Sequence, residues 1–250
     1  MPRLELRRKI EANPLWYHTL ELGPDAVTPG WFDLRPVVDR MPWPDVSGKR
    51  CLDVGTYDGF LAFELERRGA AEVVAIDIED HSRWDWPART RALGPDRLAG
   101  IAGQRKGLGF DIAREALGSS VERRERSVYD LDPDQDGRFD VIVCGSLLLH
   151  LRDPVGALEA IRGVCAGSFL SAEQIDTRLS RRRAAAQFRG GESVQWWIPN
   201  AAGHRAIVEA AGFAVQGDQR RYRIPYGDGH PARRGRRSMA HSAVLAVPDV

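Results

Sequence analysis

Apolar positions along the chain fall into two alternating kinds of run. Short apolar blocks predict buried strands at 50–54 (RCLDV), 72–77 (EVVAID), 139–145 (FDVIVCG) and 167–173 (GSFLSAE), and 121–129 (VERRERSVY) carries enough charge to predict a partly exposed strand. Between them the apolar residues are spaced three and four apart, which is helical spacing. In FLAFELERRGA, Phe60 pairs with Phe63 and Leu61 with Leu65, and Gly69 marks the stop. GFDIAREALG, 109–118, reads as a second helix. In DPVGALEAIRGVC, Asp153 is placed to cap, Pro154 suits the first helical position, and Val155, Leu158, Ile161 and Val164 form one stripe. NAAGHRAIVEAAGF has Asn200 as cap and Gly212 as stop, and strands are expected near 213–217 and 242–247.

Strands and helices alternating in this number predict an α/β fold: a doubly wound, Rossmann-like, seven-stranded, mostly parallel sheet with an antiparallel edge hairpin. Residues 1–48 and 174–198 fit no βα unit. The first is expected to be an N-terminal cap or lid element, and the second an insertion near the acceptor site of a main domain covering 49–250.

Composition narrows the function classes. The chain has 250 residues, 43% hydrophobic and 28% charged, enough for one large domain with a core. Thirty-six basic against thirty-five acidic residues leave a net charge of +1, so no global field draws the protein to nucleic acid or an anionic membrane. Of the basic residues only Lys9, Lys49 and Lys106 are lysine, and so general an arginine habit lowers the meaning of any one arginine cluster. Cys51, Cys144 and Cys165 are odd in number and each lies in an apolar run, which suits reduced core thiols. No pair of histidines or cysteines has metal-ligand spacing on one element, so no metal is expected. The N-terminal stretch lacks the apolar core of a secretory signal and no stretch reaches membrane-spanning length, which points to a cytoplasmic protein.

The first βα turn, LDVGTYDG, carries the chemistry. A glycine directly after a strand lets the backbone turn sharply and approach a ligand, and Gly59 lets the next helix start tight against it. A dinucleotide site needs a middle glycine to admit a pyrophosphate; Tyr57 and Asp58 at that point would crowd and repel it. A ligand with an adenosine and no phosphate needs only the first close approach and an acid further on for the ribose hydroxyls. Asp77, at the tip of the second strand, is placed to be that acid.

LDVGTYDG, then VVAID, then FDVIVCGSLLLHLRDPVGAL with Glu173 after the next strand, resembles the class I S-adenosylmethionine-dependent methyltransferases. WYHTLELGPDAVTPGWFD and SVQWWIPNAAGHRAIVEAAGF are similar to the branch around the bacterial tRNA wobble-uridine (5-hydroxyuridine) methyl- and carboxymethyltransferases. The resemblance runs from about residue 14 to 247 and implies S-adenosyl-L-methionine (SAM) as cofactor. It implies that Asp53, Gly55 and Thr56, with Gly59 closing the turn, lie along the methionine and ribose, and that Asp77, with Ile78 beside it, holds the ribose hydroxyls. Ser127 and Val128, followed by Tyr129, match the adenine-contacting turn, without the acid many relatives place there. Cys144, Gly145 and Ser146 would face the sulfonium, and Trp16 and Tyr17 would reach the cofactor from the N-terminal element. Carboxymethylating members hold an extra carboxylate with a lysine, a tyrosine and an arginine; the matching positions here are His18, Leu149 and Ser242. A buried carboxylate without paired donors is costly, so the simple methyl donor is expected.

Methyl transfer to a hydroxyl is helped by a positioned base. His18 is the first candidate, within an aromatic-rich element (Trp16, Tyr17, Trp31, Phe32) that reads equally as a lid over the ligand or as a core anchor in which His18 merely packs. Glu173 is the second, against a solvated or arginine-paired carboxylate. His150 reads as structural. Trp196 and Trp197 either wall the acceptor pocket or pack the insertion. A small-molecule acceptor is expected ahead of tRNA. The runs RLSRRR (178–183), RRYR (220–223) and RRGRR (233–237) could track a phosphate backbone, but acidic runs such as DLDPDQD (130–136) and the near-zero charge oppose it. A non-catalytic protein that kept the fold is the remaining alternative, with Tyr57 as its best argument.

Overall fold

The computed structural model describes residues 1–102, 106–180, 182–192, 194–235 and 237–249. Ser193 of the insertion, and Arg181 and Arg236 of the arginine runs, lie outside the described residues. The strands are β1 (Arg50–Val54), β2 (Glu72–Asp77), β3 (Glu122–Glu125), β4 (Phe139–Gly145), β5 (Cys165–Gln174), β6 (Ala186–Glu192), β7 (Gln195–Pro199), β8 (Phe213–Pro225) and β9 (Ser238–Pro248). The helices are α1 (Arg3–Ala12), α2 (Phe60–Arg67), α3 (Ala88–Arg91), α4 (Pro95–Ala102), α5 (Leu108–Leu117), α6 (Pro133–Asp136), α7 (Pro154–Val164) and α8 (Ala201–Ala210).

Seven strands form one sheet in the order β3-β2-β1-β4-β5-β9-β8. The first five run parallel, and β9 is antiparallel to both β5 and β8. The order reverses between β1 and β4, which leaves a crevice at their carboxyl ends, the usual ligand position in open α/β sheets. β1 is buried on both faces, which is why it reads as a continuous apolar run. Cys51 joins one core layer with Phe63, Phe110 and the N-terminal Leu6, Ile10 and Trp16, whereas Leu52 and Val54 join the other with Leu158, Ile161 and Val208. Each such large apolar side chain contributes about 1.5–3 kcal/mol by leaving water. The three cysteines are free and buried, as their apolar settings predicted.

The expected caps are present: the side chain of Asp153 accepts from Gly156 N and that of Asn200 from Gly203 N. Several elements differ from expectation. The strand predicted over 121–129 stops at Glu125, because the Ser127 side chain accepts from Tyr129 N and turns the chain into a single tight turn over Val128–Asp130. The closing strands are longer than predicted because they pair with each other across a bulge between Gln216 and Arg220. Within 174–198, β6 and β7 form a separate antiparallel hairpin whose alternating half-buried pattern was too polar to stand out in the sequence.

The segment before β1 packs into the first core layer. Trp16 is buried and its indole N–H donates to Ile10 O at 3.0 Å. Isolated bridges join His18 to Phe32 and Phe32 to Tyr226. Among the described residues no helix is long and apolar enough to cross a membrane.

Candidate active site

Gly55 has φ +78°, a backbone conformation that favours glycine, and a Cβ added there would crowd the Leu147 side chain at 3.1 Å. Tyr57 also sits in the left-handed region, at φ +50°. That conformation costs a non-glycine residue about 1–2 kcal/mol, and the contacts of Tyr57 offset it. Its backbone N–H donates to Asp77 Oδ2 at 2.8 Å. Its ring lies 5.0 Å from that of Tyr17, and the Lys106 ammonium stands 4.7 Å over it. The same ammonium is 4.4 Å over Trp84 and 3.6 Å from Asp77 Oδ1. The middle of the turn, which a dinucleotide site keeps empty, is thus filled by a tyrosine in contact with Tyr17, Asp77 and Lys106. Ile78 N donates to Asp77 Oδ1 at 2.8 Å, so two backbone donors aim the Asp77 carboxylate.

Over this turn lies a cavity of about 270 Å³. Gly55, Tyr57, Asp77 and Ile78 line one side, Ser127, Val128 and Tyr129 the far end, Gly145, Ser146 and Leu147 the other side, and Leu15, Tyr17, His18 and Trp31 the top. A smaller cavity of about 30 Å³ adjoins it and shares Tyr17, His18, Gly145 and Ser146. Its walls are mainly apolar, from Phe32, Leu34, Met41, Leu61, Ile224 and Met239, with Gln174, Tyr222 and His241 as its own polar groups. Met239 O can only accept, so the imidazole of His241 places its Nδ1 proton toward it at 3.3 Å and leaves Nε2 to accept from Ser146 Oγ at 3.0 Å. Burial pushes His241 down to about 4, so it stays neutral at ordinary pH. The Tyr222 hydroxyl is buried without a hydrogen-bond partner among the described residues.

Asp58 closes the top. Its Oδ2 accepts from Tyr17 N at 2.8 Å and His18 N at 2.9 Å, and its Oδ1 pairs with His18 Nδ1. At 1% exposure, Asp58 fastens the N-terminal segment across the turn. Sequence reasoning missed it, treating it only as a charge that would repel phosphate; its partners are some forty residues away, and nothing local signals them.

Of the residues expected at the site, Tyr17, His18, Gly55, Asp77, Ile78, Ser127, Val128, Gly145 and Ser146 line the large cavity. Trp16, Asp53, Thr56, Gly59, Cys144 and Glu173 do not. Trp16 anchors the segment from below. Asp53 and Thr56 are buried behind the turn, where burial pushes the Asp53 carboxyl up to about 7 against the opposing Thr56 hydroxyl. Gly59 sits where a Cβ would come within 2.4 Å of the Phe63 ring, so it serves helix packing. Cys144 lies with its Sγ 4.0 Å from Glu173, and burial together with that carboxyl raises its pKa.

Glu173, 1% exposed, is neither solvated nor arginine-paired. Its Oε1 accepts from Leu147 N and Leu148 N, both at 3.2 Å, so it holds the turn that brings Ser146 and Leu147 to the cavity. Burial pushes its carboxyl up to about 8 against those backbone donors.

The β6–β7 hairpin meets the large cavity, because Val194 at its turn accepts from His150 Nδ1 at 2.8 Å and both residues line that cavity, whereas Gln174 at the start of the insertion lines the small one. His150 is therefore a fastening for the hairpin, and burial lowers its pKa. Trp196 and Trp197 line neither cavity. Their indole N–H groups donate to Asp85 O at 2.7 Å and Arg152 O at 3.2 Å, which decides for packing of the insertion.

The sheet order, the glycine turn and the acid at the tip of β2 define the methyltransferase class of Rossmann-like folds. The chain belongs to the methyltransferase domain family, whose model matches residues 33–217, and so to the class I SAM-dependent methyltransferases. It is 28% identical over 149 residues to a ubiquinone biosynthesis O-methyltransferase of Acinetobacter baumannii, covering 54% of this chain and 53% of the relative. The chain thus spans about half the length of the curated relatives it matches. Among solved structures, the N-terminal domain of EvdMO1, crystallised with SAH and D-fucose, matches with a TM-score of 0.55 at 17% identity, covering 99% of this chain and 97% of that one. The 1,6-didemethyltoxoflavin-N1-methyltransferase of Burkholderia thailandensis, crystallised with its substrate and S-adenosylhomocysteine, matches with a TM-score of 0.50 at 16% identity over 82% of this chain and 72% of that one. At these identities the structures speak to the fold.

Proposed function

We propose that the protein transfers a methyl group from SAM to an oxygen or nitrogen, with oxygen favoured, of a neutral small molecule. The observation that carries this reading is the pair of adjoining cavities with His18 in the wall of both. The residues of the larger one fit the cofactor: Asp77 keeps lone pairs free for the ribose hydroxyls, Gly55 allows close backbone approach, and Ser127, Val128 and Tyr129 would flank the adenine. The bound cofactor supplies a methyl carbon activated by a positive sulfur. This chain supplies alignment and a dry site.

The smaller cavity would take the reacting end of the acceptor. None of its lining residues is an arginine, lysine or carboxylate, so a neutral group is favoured there. His18, at the junction, is the candidate base for an acceptor hydroxyl. Glu173 acts through the turn it holds, as a positioning residue. The simple methyl donor is preferred because Leu149 is an apolar core residue and Ser242 Oγ is engaged with His204 Nδ1 at 2.7 Å, so neither offers a donor to an extra carboxylate.

The named relatives act in ubiquinone biosynthesis as O-methyltransferases, which supports a small oxygen acceptor. Against an RNA acceptor, arginines of the three runs are engaged within the protein: Arg178 with Asp176 at 2.9 Å, Arg223 with Ser238 Oγ at 2.8 Å, and Arg233 with Asp228. The test is incubation with methyl-labelled SAM and either a panel of hydroxylated aromatic compounds or bulk tRNA. Label in an extractable small product supports the proposal, and label in RNA that disappears with Asp77→Ala overturns it.

A further inference from the structure

We infer that Asp58 is the positioning residue of a His18–Asp58 pair, holding His18 in the one tautomer that can accept a proton from the methyl acceptor. The inference rests on the function proposed above and deepens it. An ionised carboxylate only accepts hydrogen bonds, so its contact with His18 Nδ1 places the ring proton on Nδ1. Nε2 is then left with its lone pair. Nε2 makes no hydrogen bond among the described residues, and the ring lines both cavities. The ring is also gripped from the side, edge-on to Tyr17 at 4.9 Å and tilted against Phe60 at 5.7 Å, so it has little freedom to turn away.

The same carboxylate does a second thing. Its other oxygen accepts from the backbone N–H groups of Tyr17 and His18, so the segment carrying the base is fastened over the turn by the group that sets the base's tautomer. A loosened segment would carry the base away with it.

In the step this arrangement serves, the acceptor oxygen forms its bond to the methyl carbon as that carbon's bond to sulfur breaks, the electron pair leaving on sulfur. The hydroxyl proton passes to Nε2 of His18. The imidazolium so formed faces the Asp58 carboxylate, which stabilises it without taking the proton.

The spectroscopic part of the test needs no knowledge of the acceptor; the rate comparison uses the acceptor found by the screen above. In ¹⁵N-labelled protein bound to S-adenosylhomocysteine, at a pH where imidazole is neutral, long-range proton–nitrogen spectra report which ring nitrogen of His18 is protonated, and His18→Gln identifies its signals. The wild type is expected to show Nδ1–H and a bare Nε2. In Asp58→Asn the single amide oxygen is needed by the Tyr17 and His18 N–H groups, so the amide NH₂ turns to Nδ1 and forces the proton onto Nε2. The spectrum should reverse, S-adenosylhomocysteine affinity should hold, and methyl transfer should fall by on the order of 10²–10⁴. A wild-type ring protonated on Nε2, or an Asp58→Asn ring that keeps the wild-type pattern, overturns the inference; if the variant does not fold, the wild-type spectrum alone decides. Wild-type protein that fails to bind S-adenosylhomocysteine at all would instead overturn the proposed function, and the role of Asp58 with it.

Discussion

The backbone N–H of Tyr57 donates to Asp77 Oδ2 at 2.8 Å, so the residue standing where a dinucleotide site keeps its middle glycine is, with Ile78, one of the two that aim the acid at the tip of β2. The tyrosine side chain itself packs against the Tyr17 ring and under the Lys106 ammonium. Asp77→Ala is expected to weaken S-adenosylhomocysteine binding about a hundredfold, the equivalent of removing a charged acceptor from two hydroxyls. Asp77→Asn, which keeps one acceptor oxygen, should weaken it about tenfold. Calorimetric titration of the three proteins checks the order.

Gly55→Ala introduces two penalties: a left-handed backbone with a Cβ, and a contact at 3.1 Å with Leu147. Thermal or urea unfolding is expected to show a loss of about 1–3 kcal/mol. Adding Leu147→Ala relieves only the contact, so the double variant should remain less stable than Leu147→Ala alone.

Tyr222→Phe separates stability from acceptor recognition. The Tyr222 hydroxyl is buried without a partner among the described residues, so deleting it removes an unsatisfied group and should leave the unfolding midpoint unchanged or raised. Tyr222 lines the smaller cavity, where the proposed function places the acceptor, and the substitution should raise the acceptor KM while sparing cofactor affinity.

Two sets of buried groups give the stability opposite slopes in pH. Glu173, near 4.5 unfolded and about 8 folded, binds its proton more tightly in the fold, so its contribution is complete below pH 4.5 and is lost as pH rises toward 8. His204 and His241, near 6.5 unfolded and about 3 and 4 folded, bind protons less tightly in the fold, so their contribution is present above pH 6.5 and lost as pH falls. Glu173→Gln should therefore gain on the wild type by about 1.4 kcal/mol per pH unit within the 4.5–8 window. Urea denaturation at a series of pH values measures it.

The strand and helix pattern made the sheet legible because β1, β2 and β4 lie between the two core layers and are buried along most of their length, while α7 and α8 carry their own caps. Gly55 and Asp77 were legible because a turn glycine and a strand-end acid are local signals. The contacts of Asp58 and Glu173 were not legible, since their partners are brought up by the N-terminal segment and the turn after β4. The β6–β7 hairpin was invisible for a related reason: Trp196 and Trp197 read either as pocket walls or as packing of the insertion, and only their indole donors to Asp85 O and Arg152 O decide for packing.

The most direct measurement is a pair of titrations of the unmodified protein, one with S-adenosylhomocysteine and one with NAD. A phosphate-free adenosine ligand should bind at micromolar concentration, lose most of that affinity in Asp77→Ala, and find no competitor in NAD, because Tyr57 stands where a dinucleotide site has its middle glycine. Binding of NAD with no response to S-adenosylhomocysteine would contradict it.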